Sequence, residues 1–298
     1  CLVCVDCGDA PSCPRCSVYL TYHSVTNRLM CHYCGYSQWL DDSCPECGGE
    51  LKHVGAGTQM IETELNELFP DTEVIRLDTD TVTAAGSHEA LFERFRNEKI
   101  PIMVGTQMVT KGLNFENVTL VGVISADQSL YAGSFRAGER TFSLLTQVVG
   151  RSGRGSKPGR AIIQTFTPEN ETILQASRQD YEDFYESEIQ LRRLQNTPPF
   201  SEMLTVTASG LNEAHVFQAC RYVRDRLDNI IGRDGSAVVL GPAPLAVVKV
   251  NNRYRYRVII YGKKLSGLRG IVSGLVIECC TDKRFSDVSV YADNDPAE

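Results

Sequence analysis

The sequence predicts an α/β protein flanked by a small cysteine-rich module and by a second, α+β domain. Three observations support this prediction. Eight cysteines lie in four C-x2-C pairs near the start of the chain. Helix and strand patterns then alternate from about residue 55 to residue 167, as in a layered α/β domain. The residues after 198 give strand and helix patterns in the order βαββαβ, which is typical of a split βαβ sandwich.

The four C-x2-C pairs predict two closed metal sites. Each pair places two thiolates on one tight turn and so presents two corners of a tetrahedron to Zn²⁺. Four thiolates leave no position for water or substrate, so we expect both ions to be structural. A disulfide framework is disfavoured because nothing indicates secretion, and a rubredoxin-like iron site is a second alternative. The predicted ligands are Cys4, Cys7, Cys13, Cys16, Cys31, Cys34, Cys44 and Cys47.

The spacing of the pairs allows two ways to combine them. Nested pairing joins the first pair to the fourth and the second to the third, whereas sequential pairing makes one tight site of the first two pairs. We favour nesting, because an inner site then forms on one hairpin while the outer site closes its base. His23 and His32 lie nearby in the sequence, but the eight thiolates already suffice for two sites.

Composition narrows the class of protein. The chain has 298 residues, 42% of them hydrophobic, which is enough for two or three domains. No run approaches the roughly 20 apolar residues of a membrane span, and no signal-peptide pattern opens the chain. Twelve cysteines without a secretion signal indicate a reducing compartment, so we expect a cytoplasmic protein. The net charge of −7 does not favour nucleic-acid binding, which local basic patches would have to provide. Because the chain opens on Cys1 rather than Met, we expect a fragment.

The α/β region contains alternating helices and strands. Apolar residues at helical spacing predict the helices. Two near-continuous apolar runs, 100–105 and 118–125, predict strands that are buried on both faces of a parallel sheet. The predicted helices are 58–69, 87–95 and 136–149, and the remaining predicted strands are 73–77 and 160–165.

Two polar, glycine-containing stretches lie in this region. GTQMVTKGLNF leaves the strand that ends at Gly105, and QVVGRSGRG begins at Gln147. Ligands of open α/β sheets bind at the carboxyl ends of strands. Amide, hydroxyl and ammonium donors suit phosphate oxygens, and two nearby arginines can stabilise the charge of a transferring phosphoryl group. The candidate residues are Thr106, Gln107, Lys111 and Gly112 in the first stretch and Gln147, Arg151 and Arg154 in the second.

These stretches resemble motifs V and VI of a superfamily 2 helicase, in its second RecA-like lobe. The cysteine spacing 2-5-2-14-2-9-2 resembles the zinc module that is inserted in this lobe in the PriA family of replication-restart helicases. The strings FENVTLVGVISAD and FRAGERTFSLLTQVVGR extend the resemblance over essentially the whole chain. The family also uses nested zinc pairing.

The resemblance implies the C-terminal part of an ATP-dependent 3′-to-5′ DNA helicase, which recognises and remodels abandoned replication forks and initiates primosome assembly. Arg151 and Arg154 would meet the γ-phosphate of ATP, and Gln147 would couple nucleotide to lobe closure. The candidates of the first stretch would contact DNA or relay the nucleotide state. The expected cofactors are two structural Zn²⁺, with ATP and Mg²⁺ in the full-length enzyme. The expected partners are branched DNA, single-stranded DNA-binding protein and other primosome proteins.

Some features depart from the family pattern or are absent. Asn114 stands where relatives often have an acid, so it lacks the carboxylate that a ribose or water contact at that position would use. Asp127 is either a DNA-contacting or coupling residue or an ordinary strand-end cap. The 298 residues contain neither a G-x4-G-K-[ST] loop nor a D-E-x-H box, so we expect no ATP hydrolysis by this chain alone. The alternatives are a non-catalytic, zinc-stabilised DNA or primosome scaffold and an iron-carrying redox protein, although neither explains QVVGRSGR.

The patterns divide the chain into four parts. We predict a zinc module over 1–52, a helicase lobe over 53–167, one connecting helix over 168–198 and a DNA-binding domain over 199–298.

The C-terminal region adds a candidate DNA surface. Arginines at alternate positions share one face of a predicted strand, while Tyr254 and Tyr256 take the other face and enter the core. The basic face would bind DNA or the acidic tail of single-stranded DNA-binding protein. Its residues are Arg253, Arg255, Arg257, Lys263 and Lys264.

Overall fold

The chain folds into two compact units. The computed structural model describes residues 2–23, 26–41, 43–53, 57–78, 87–107, 117–150, 158–232 and 237–296. We call Cys1–Gly55 with Arg192–Glu298 the metal–C-terminal unit, and Ala56–Leu191 the α/β unit. Within the described ranges, no helix combines the length and the apolar character that crossing a membrane requires.

The cysteine-rich module is built from five short strands. β2 (Thr21–His23), β3 (Arg28–Met30) and β4 (Ser37–Trp39) form an antiparallel sheet. β1 (Leu2–Cys4) pairs antiparallel with β5 (Leu51–His53) and brings the two ends of the module together. In the sequence, the three-stranded sheet therefore lies between β1 and β5.

The α/β unit contains the predicted helices and strands. Two parallel pairs, β6–β7 and β8–β9, are separate two-stranded sheets among the described residues. Its first elements are α1 (Thr58–Leu68), β6 (Val74–Leu77), α2 (Ser87–Asn97), β7 (Ile102–Gly105), β8 (Leu120–Val123), α3 (Asp127–Leu130), α4 (Ala137–Val149) and β9 (Arg160–Ile163).

Burial on both faces, predicted for the apolar strands, is wrong for β8. Leu120 in β8 is 58% exposed, and Ile162 in β9 is 51% exposed. Alternate residues of each strand face away from the helices, and nothing among the described residues covers that face. An apolar run alone does not distinguish a strand covered on two sides from one covered on a single side.

The single helix predicted over 168–198 is two helices. α5 (Glu171–Arg178) begins after Asn170, whose side chain accepts from the backbone N–H of Thr172. Gln179 then adopts a left-handed conformation, with φ of 57°, and ends the helix. The chain turns into α6 (Tyr181–Gln195). The core of the α/β unit forms where α4 meets these helices, with Phe142 stacked on Phe184 at 4.1 Å between ring centroids.

The C-terminal domain has the predicted βαββαβ order in two layers. Its antiparallel sheet has the strand order β11-β12-β10-β13. Both helices contribute to one continuous core with alternate residues of the sheet, including Val206, Leu227, Val258 and Val272. The elements are β10 (Glu202–Gly210), α7 (Glu213–Ile231), β11 (Ala237–Val250), β12 (Arg253–Gly262), α8 (Ser266–Thr281) and β13 (Val288–Asn294).

Candidate metal centres and polar motifs

The eight paired cysteines gather into two clusters in the nested arrangement. In each cluster all four Sγ atoms lie within 4.8 Å of one another. We call Cys4, Cys7, Cys44 and Cys47 the outer cluster. We call Cys13, Cys16, Cys31 and Cys34 the inner cluster.

The sulfur–sulfur distances fit a tetrahedral zinc ion. A Zn–S bond of about 2.3 Å places the sulfurs of a Cys4 site about 3.8 Å apart. The Sγ atoms of Cys4 and Cys47 are 3.5 Å apart in the outer cluster, and those of Cys13 and Cys34 are 3.6 Å apart in the inner cluster. A disulfide would need about 2.05 Å, and the described cysteines are all free. The donor set and its spacing therefore fit two structural zinc ions.

Backbone N–H groups prepare part of each cluster for metal. The backbone N–H of Cys7 is the main influence on the Cys4 thiol and lowers its pKa to about 7. Burial raises the pKa of Cys31, but the N–H groups of Cys34 and Tyr33, together with the neighbouring thiols of Cys13 and Cys34, outweigh it and bring the pKa to about 7. Zinc binds the thiolate, so these N–H groups favour the form that coordinates.

The two clusters differ in burial. Cys7 and Cys47 of the outer cluster are exposed, whereas three of the four inner cysteines are buried. Cys13, Cys16 and Cys31 belong to a small apolar core with Leu20 and Leu29. The inner metal site therefore lies in the module's core, and the outer one lies at its surface.

Three of the four C-x2-C turns end in a glycine with φ between 72° and 76°. The N–H of that glycine donates to the carbonyl of the first cysteine of the pair, over 2.8 to 3.0 Å. A residue with a side chain is strained at such φ values, so glycine closes these turns best. The three glycines are Gly8, Gly35 and Gly48. The fourth turn, Cys13–Cys16, is followed by Ser17 instead.

The first polar stretch is only partly described. Thr106 and Gln107 directly follow β7 and are exposed. Lys111 and Gly112 lie outside the described residues, as does Asn114. The two described candidates thus lie at the carboxyl end of a parallel strand, where the sequence predicted them.

The second stretch is described up to Gly150. Gln147 lies in the last turn of α4, and its Nε2 donates to Ser143 Oγ over 3.2 Å. Arg151 and Arg154 lie outside the described residues. The predicted meeting of this arginine pair with a polyanion therefore stays a prediction.

Asp127 has a clear structural role at the start of α3. Its carboxylate accepts from Thr165 Oγ1 at 2.9 Å, from Thr167 Oγ1 at 3.1 Å and from the Phe166 N–H at 3.1 Å. Burial acts to raise the pKa of Asp127, but these hydrogen bonds to the charged form outweigh it and lower the pKa. These three hydrogen bonds hold α3 against the segment after β9, and we call them the Asp127 fastening.

The predicted basic face of β12 is on the side of the sheet opposite the helices. Tyr254 and Tyr256 pack against the core, as predicted. Arg253 donates to Ser209 O over 2.8 Å and also to Ser289 Oγ, while Arg255 donates to the carbonyl of Val247. These two guanidinium groups are thus bound within their own domain. Arg257 is half-buried on the same strand, and Lys263 and Lys264 follow it, exposed.

Sequence patterns missed one contact of the inner cluster. The turn between β11 and β12 places the backbone N–H of Asn251 3.2 Å from Cys16 Sγ. The two residues are 235 positions apart, and an Asn-Asn pair predicts only a tight turn. No local signal could have identified it as a neighbour of the metal.

Comparison with protein families matches three parts of the chain. Residues 13–38 match the PriA DNA helicase Cys-rich region domain, and residues 54–156 match the helicase conserved C-terminal domain. Residues 193–297 match the primosomal protein N C-terminal domain. The first of these segments contains the whole inner cluster.

Curated relatives match along most of the chain. Replication restart protein PriA of Bacillus subtilis (strain 168) is 42% identical over 92% of this chain and 34% of its own length. The protein of the same name from Synechocystis is 37% identical over 86% of this chain and 31% of its own length. That from Borreliella burgdorferi is 34% identical over 91% of this chain and 41% of its own length. The chain spans about a third of the length of the curated relatives it matches.

Proposed function

The chain belongs to the PriA family of replication restart proteins, and we propose on this basis that it forms part of an ATP-dependent 3′-to-5′ DNA helicase. The whole protein would recognise and remodel stalled or abandoned replication forks and initiate primosome assembly. Its setting would be the cytoplasm, where the eight thiols stay reduced and available to zinc.

One observation carries this proposal. Two Cys4 clusters, a helicase C-terminal domain and the C-terminal domain of primosomal protein N occur together in one chain. Zinc clusters alone fit many binding proteins, and a helicase lobe alone fits many motors. Their combination favours the restart helicase over a zinc-stabilised scaffold.

In this proposal the polar motifs serve the nucleotide. Arg151 and Arg154 would neutralise charge on the γ-phosphate of ATP. Gln147, at the end of α4, would help couple nucleotide binding to lobe closure. Thr106, Gln107, Lys111 and Gly112 would contact DNA or relay the nucleotide state. Phosphates and Mg²⁺ need a phosphate-binding loop and an acidic box, and the 298 residues contain neither. We therefore propose that ATP hydrolysis needs a further lobe.

Hydrolysis of ATP tests this division of labour. The purified chain should show no DNA-stimulated hydrolysis, whereas the full-length protein should. Arg154→Ala in the full-length protein should lower the rate about 10³-fold or more, as expected when an arginine at the γ-phosphate is removed. Arg160→Ala, at the exposed start of β9, is the control. The proposal would be wrong if the chain alone hydrolysed ATP and Arg154→Ala abolished that hydrolysis.

The C-terminal domain would provide contacts to branched DNA or to the acidic tail of single-stranded DNA-binding protein. Because Arg253 and Arg255 are bound within the sheet, we assign the first phosphate contacts to Lys263 and Lys264, which follow the strand that carries Arg257. Replacing both lysines by Ala should reduce the slope of log affinity for forked DNA against log salt by about 2. Lys283→Ala, exposed in the same domain, should leave the slope unchanged. An unchanged slope in the double variant would exclude these lysines.

A further inference from the structure

The Cys13–Cys16 turn of the inner cluster differs from the other three C-x2-C turns. In those three, the N–H of the following glycine bonds back to the first cysteine. Here the following residue is Ser17, and its N–H donates instead to the carbonyl of Lys249, over 2.9 Å. The turn keeps a local bond from the Cys16 N–H to the Cys13 carbonyl, over 3.3 Å, and the N–H that follows it is taken by the C-terminal sheet.

The sulfur of Cys16 likewise accepts a hydrogen bond from the C-terminal domain instead of from a nearby residue. In the outer cluster, the second cysteine of each turn receives an N–H from two residues further on: Asp9 for Cys7 and Gly49 for Cys47. Cys16 receives its backbone N–H from Asn251, over 3.2 Å. The hydrogen bond that the two outer turns make locally is thus supplied to Cys16 from 235 residues away.

The β11–β12 turn has the geometry to supply both bonds. Val250 pairs with Arg253, so the turn has two central residues. These are Asn251 and Asn252, with φ of 49° and 64°, values that asparagine tolerates better than most residues. The Asn252 N–H donates to the carbonyl of Arg15 over 2.7 Å. Two successive backbone donors of the turn thus bind the Cys13–Cys16 segment.

Polar and apolar contacts extend this junction. The Lys249 N–H donates to Ser17 Oγ over 2.9 Å, and Lys249 Nζ donates to the carbonyl of Pro14 over 3.3 Å. Val250 packs against the apolar core of the inner cluster. Every residue from Lys249 to Asn252 therefore contacts the module.

We propose that the β11–β12 turn is an integral part of the inner metal centre, so that the inner zinc and the C-terminal sheet stabilise each other. Four thiolates and one Zn²⁺ carry a net charge of −2, and an N–H directed at a thiolate sulfur stabilises that charge. Mutation of the hydrogen-bond partners of metal ligands typically lowers metal affinity 10- to 100-fold. The coupling is reciprocal, so the metal must stabilise the turn as much as the turn stabilises the metal.

The turn leads directly into β12, beyond whose far end lie Lys263 and Lys264, the residues proposed to contact phosphate. Arg253 follows Asn252 directly and begins β12, the strand that carries the basic face. Zinc in the inner cluster would therefore fix the start of that strand. The inference rests on zinc occupancy, and none of its tests measures ATP hydrolysis or DNA unwinding, so it can fail while the proposed function stands.

A direct test uses the chain loaded with ¹¹³Cd, a spin-active substitute for zinc. The amide proton of Asn251 should show scalar coupling to the inner cadmium through its hydrogen bond to Cys16 Sγ. Amide protons of β11 distant from the turn, such as that of Val238, are the internal control. Absence of coupling from an observable Asn251 amide would overturn the proposal.

A variant tests the energetic claim. Val250→Asp places a charged group against the apolar core of the inner cluster and pulls the turn away. We expect the inner metal to be lost to a chelator about 10-fold faster or more, while the outer metal is lost at the wild-type rate. Val238→Asp, exposed on the same strand, should change neither rate. Equal acceleration of both metals, or of neither, would overturn the proposal.

A milder change covers the case in which Val250→Asp does not fold. Ser17→Ala removes the acceptor of the Lys249 N–H and leaves the cysteines in place. It should accelerate loss of the inner metal alone, by a smaller factor. Conversely, removing metal from the wild-type chain should shift the amide signals of Lys249–Asn252 more than those at the start of β11. The coupling would be excluded if Ser17→Ala left the rate of inner-metal loss unchanged and metal removal from the wild type left the amide signals of Lys249–Asn252 unshifted.

Discussion

The two compact units of the chain handle their apolar surface in different ways. In the metal–C-terminal unit, both helices of the last domain cover one face of a four-stranded sheet, and the core is continuous from Leu204 to Val290. In the α/β unit, the described residues leave Leu120 and Ile162 more than half exposed and Phe166 91% exposed. Its core is a small cluster around Phe142.

The chain thus draws on three sources of stability: packing, metal and individual hydrogen bonds. The C-terminal domain buries enough apolar area to depend mainly on packing, and the cysteine module beside it depends on metal, because so small a module cannot build a sufficient core. In the described part of the α/β unit, the Asp127 carboxylate accepts three hydrogen bonds that join α3 to the segment after β9. The following predictions test this contrast, from the largest expected effect to the smallest.

Metal removal should have the largest effect. A chelator that strips both zinc ions removes binding free energy of about 10 kcal/mol or more per structural site. The cysteine module should unfold, whereas amide signals of the α/β unit should change least, because that unit contains none of the eight ligands. Metal counting by mass spectrometry alongside two-dimensional NMR measures both effects. Unchanged module signals after complete metal loss would contradict the assignment of a structural role.

A core truncation should come next. Leu227 on α7 is completely buried, so Leu227→Ala should lower the free energy of unfolding of the C-terminal domain by about 2 to 5 kcal/mol. Leu211→Ala, 65% exposed just before α7, is the matched control and should cost less than about 0.5 kcal/mol. Urea unfolding followed by the signals of each unit checks this. Similar losses in the two variants would show that packing does not dominate this domain.

Loss of the Asp127 fastening should have a smaller effect, confined to the α/β unit. Asp127→Asn keeps the shape but replaces a charged acceptor of three hydrogen bonds by a neutral amide. We expect a lower unfolding midpoint for the α/β unit and an unchanged midpoint for the C-terminal domain. Asp71→Asn, exposed in the same unit, is the control. An Asp127→Asn midpoint equal to that of the control would refute the fastening.

Acid should reveal the same carboxylate with the smallest effect. The pKa of Asp127 is lowered in the folded chain, so its stabilisation is present above the unfolded pKa of about 3.9. It is lost as the pH falls through the lower, folded value. The difference in stability between wild type and Asp127→Asn should therefore shrink below about pH 4. A difference that stays constant to pH 2.5 would show that the charge is not its source.

Local patterns predicted much of this molecule from its sequence. The C-x2-C spacing identified eight cysteines that the structure gathers into two clusters, because a tetrahedral site needs paired thiolates on tight turns. Alternation along β12 predicted which face Tyr254 and Tyr256 take. The break between α5 and α6 was not predicted, because Gln179 gives no turn signal although it adopts a left-handed conformation.

Contacts between distant residues set the limit of prediction. The hydrogen bonds of Arg253 and Arg255 within the sheet depend on which strands become neighbours. The approach of Asn251 to Cys16 depends on the packing of the module against the last domain. The proposed roles of Arg151 and Arg154 still rest on resemblance to the family.

The junction at Cys16 also determines when the inner cluster can be completed on the ribosome. All four inner cysteines are translated before Asn251, which lies 235 residues beyond Cys16. At about 5 to 20 residues per second, the nascent chain carries Cys16 without its distant N–H for roughly 10 to 50 s. Throughout that interval the Cys13–Cys16 turn can make only its local hydrogen bonds, from the Cys16 N–H to the Cys13 carbonyl and from the Cys13 N–H to the Val18 carbonyl. On the proposed coupling, the inner metal is therefore held less tightly during synthesis than in the finished fold.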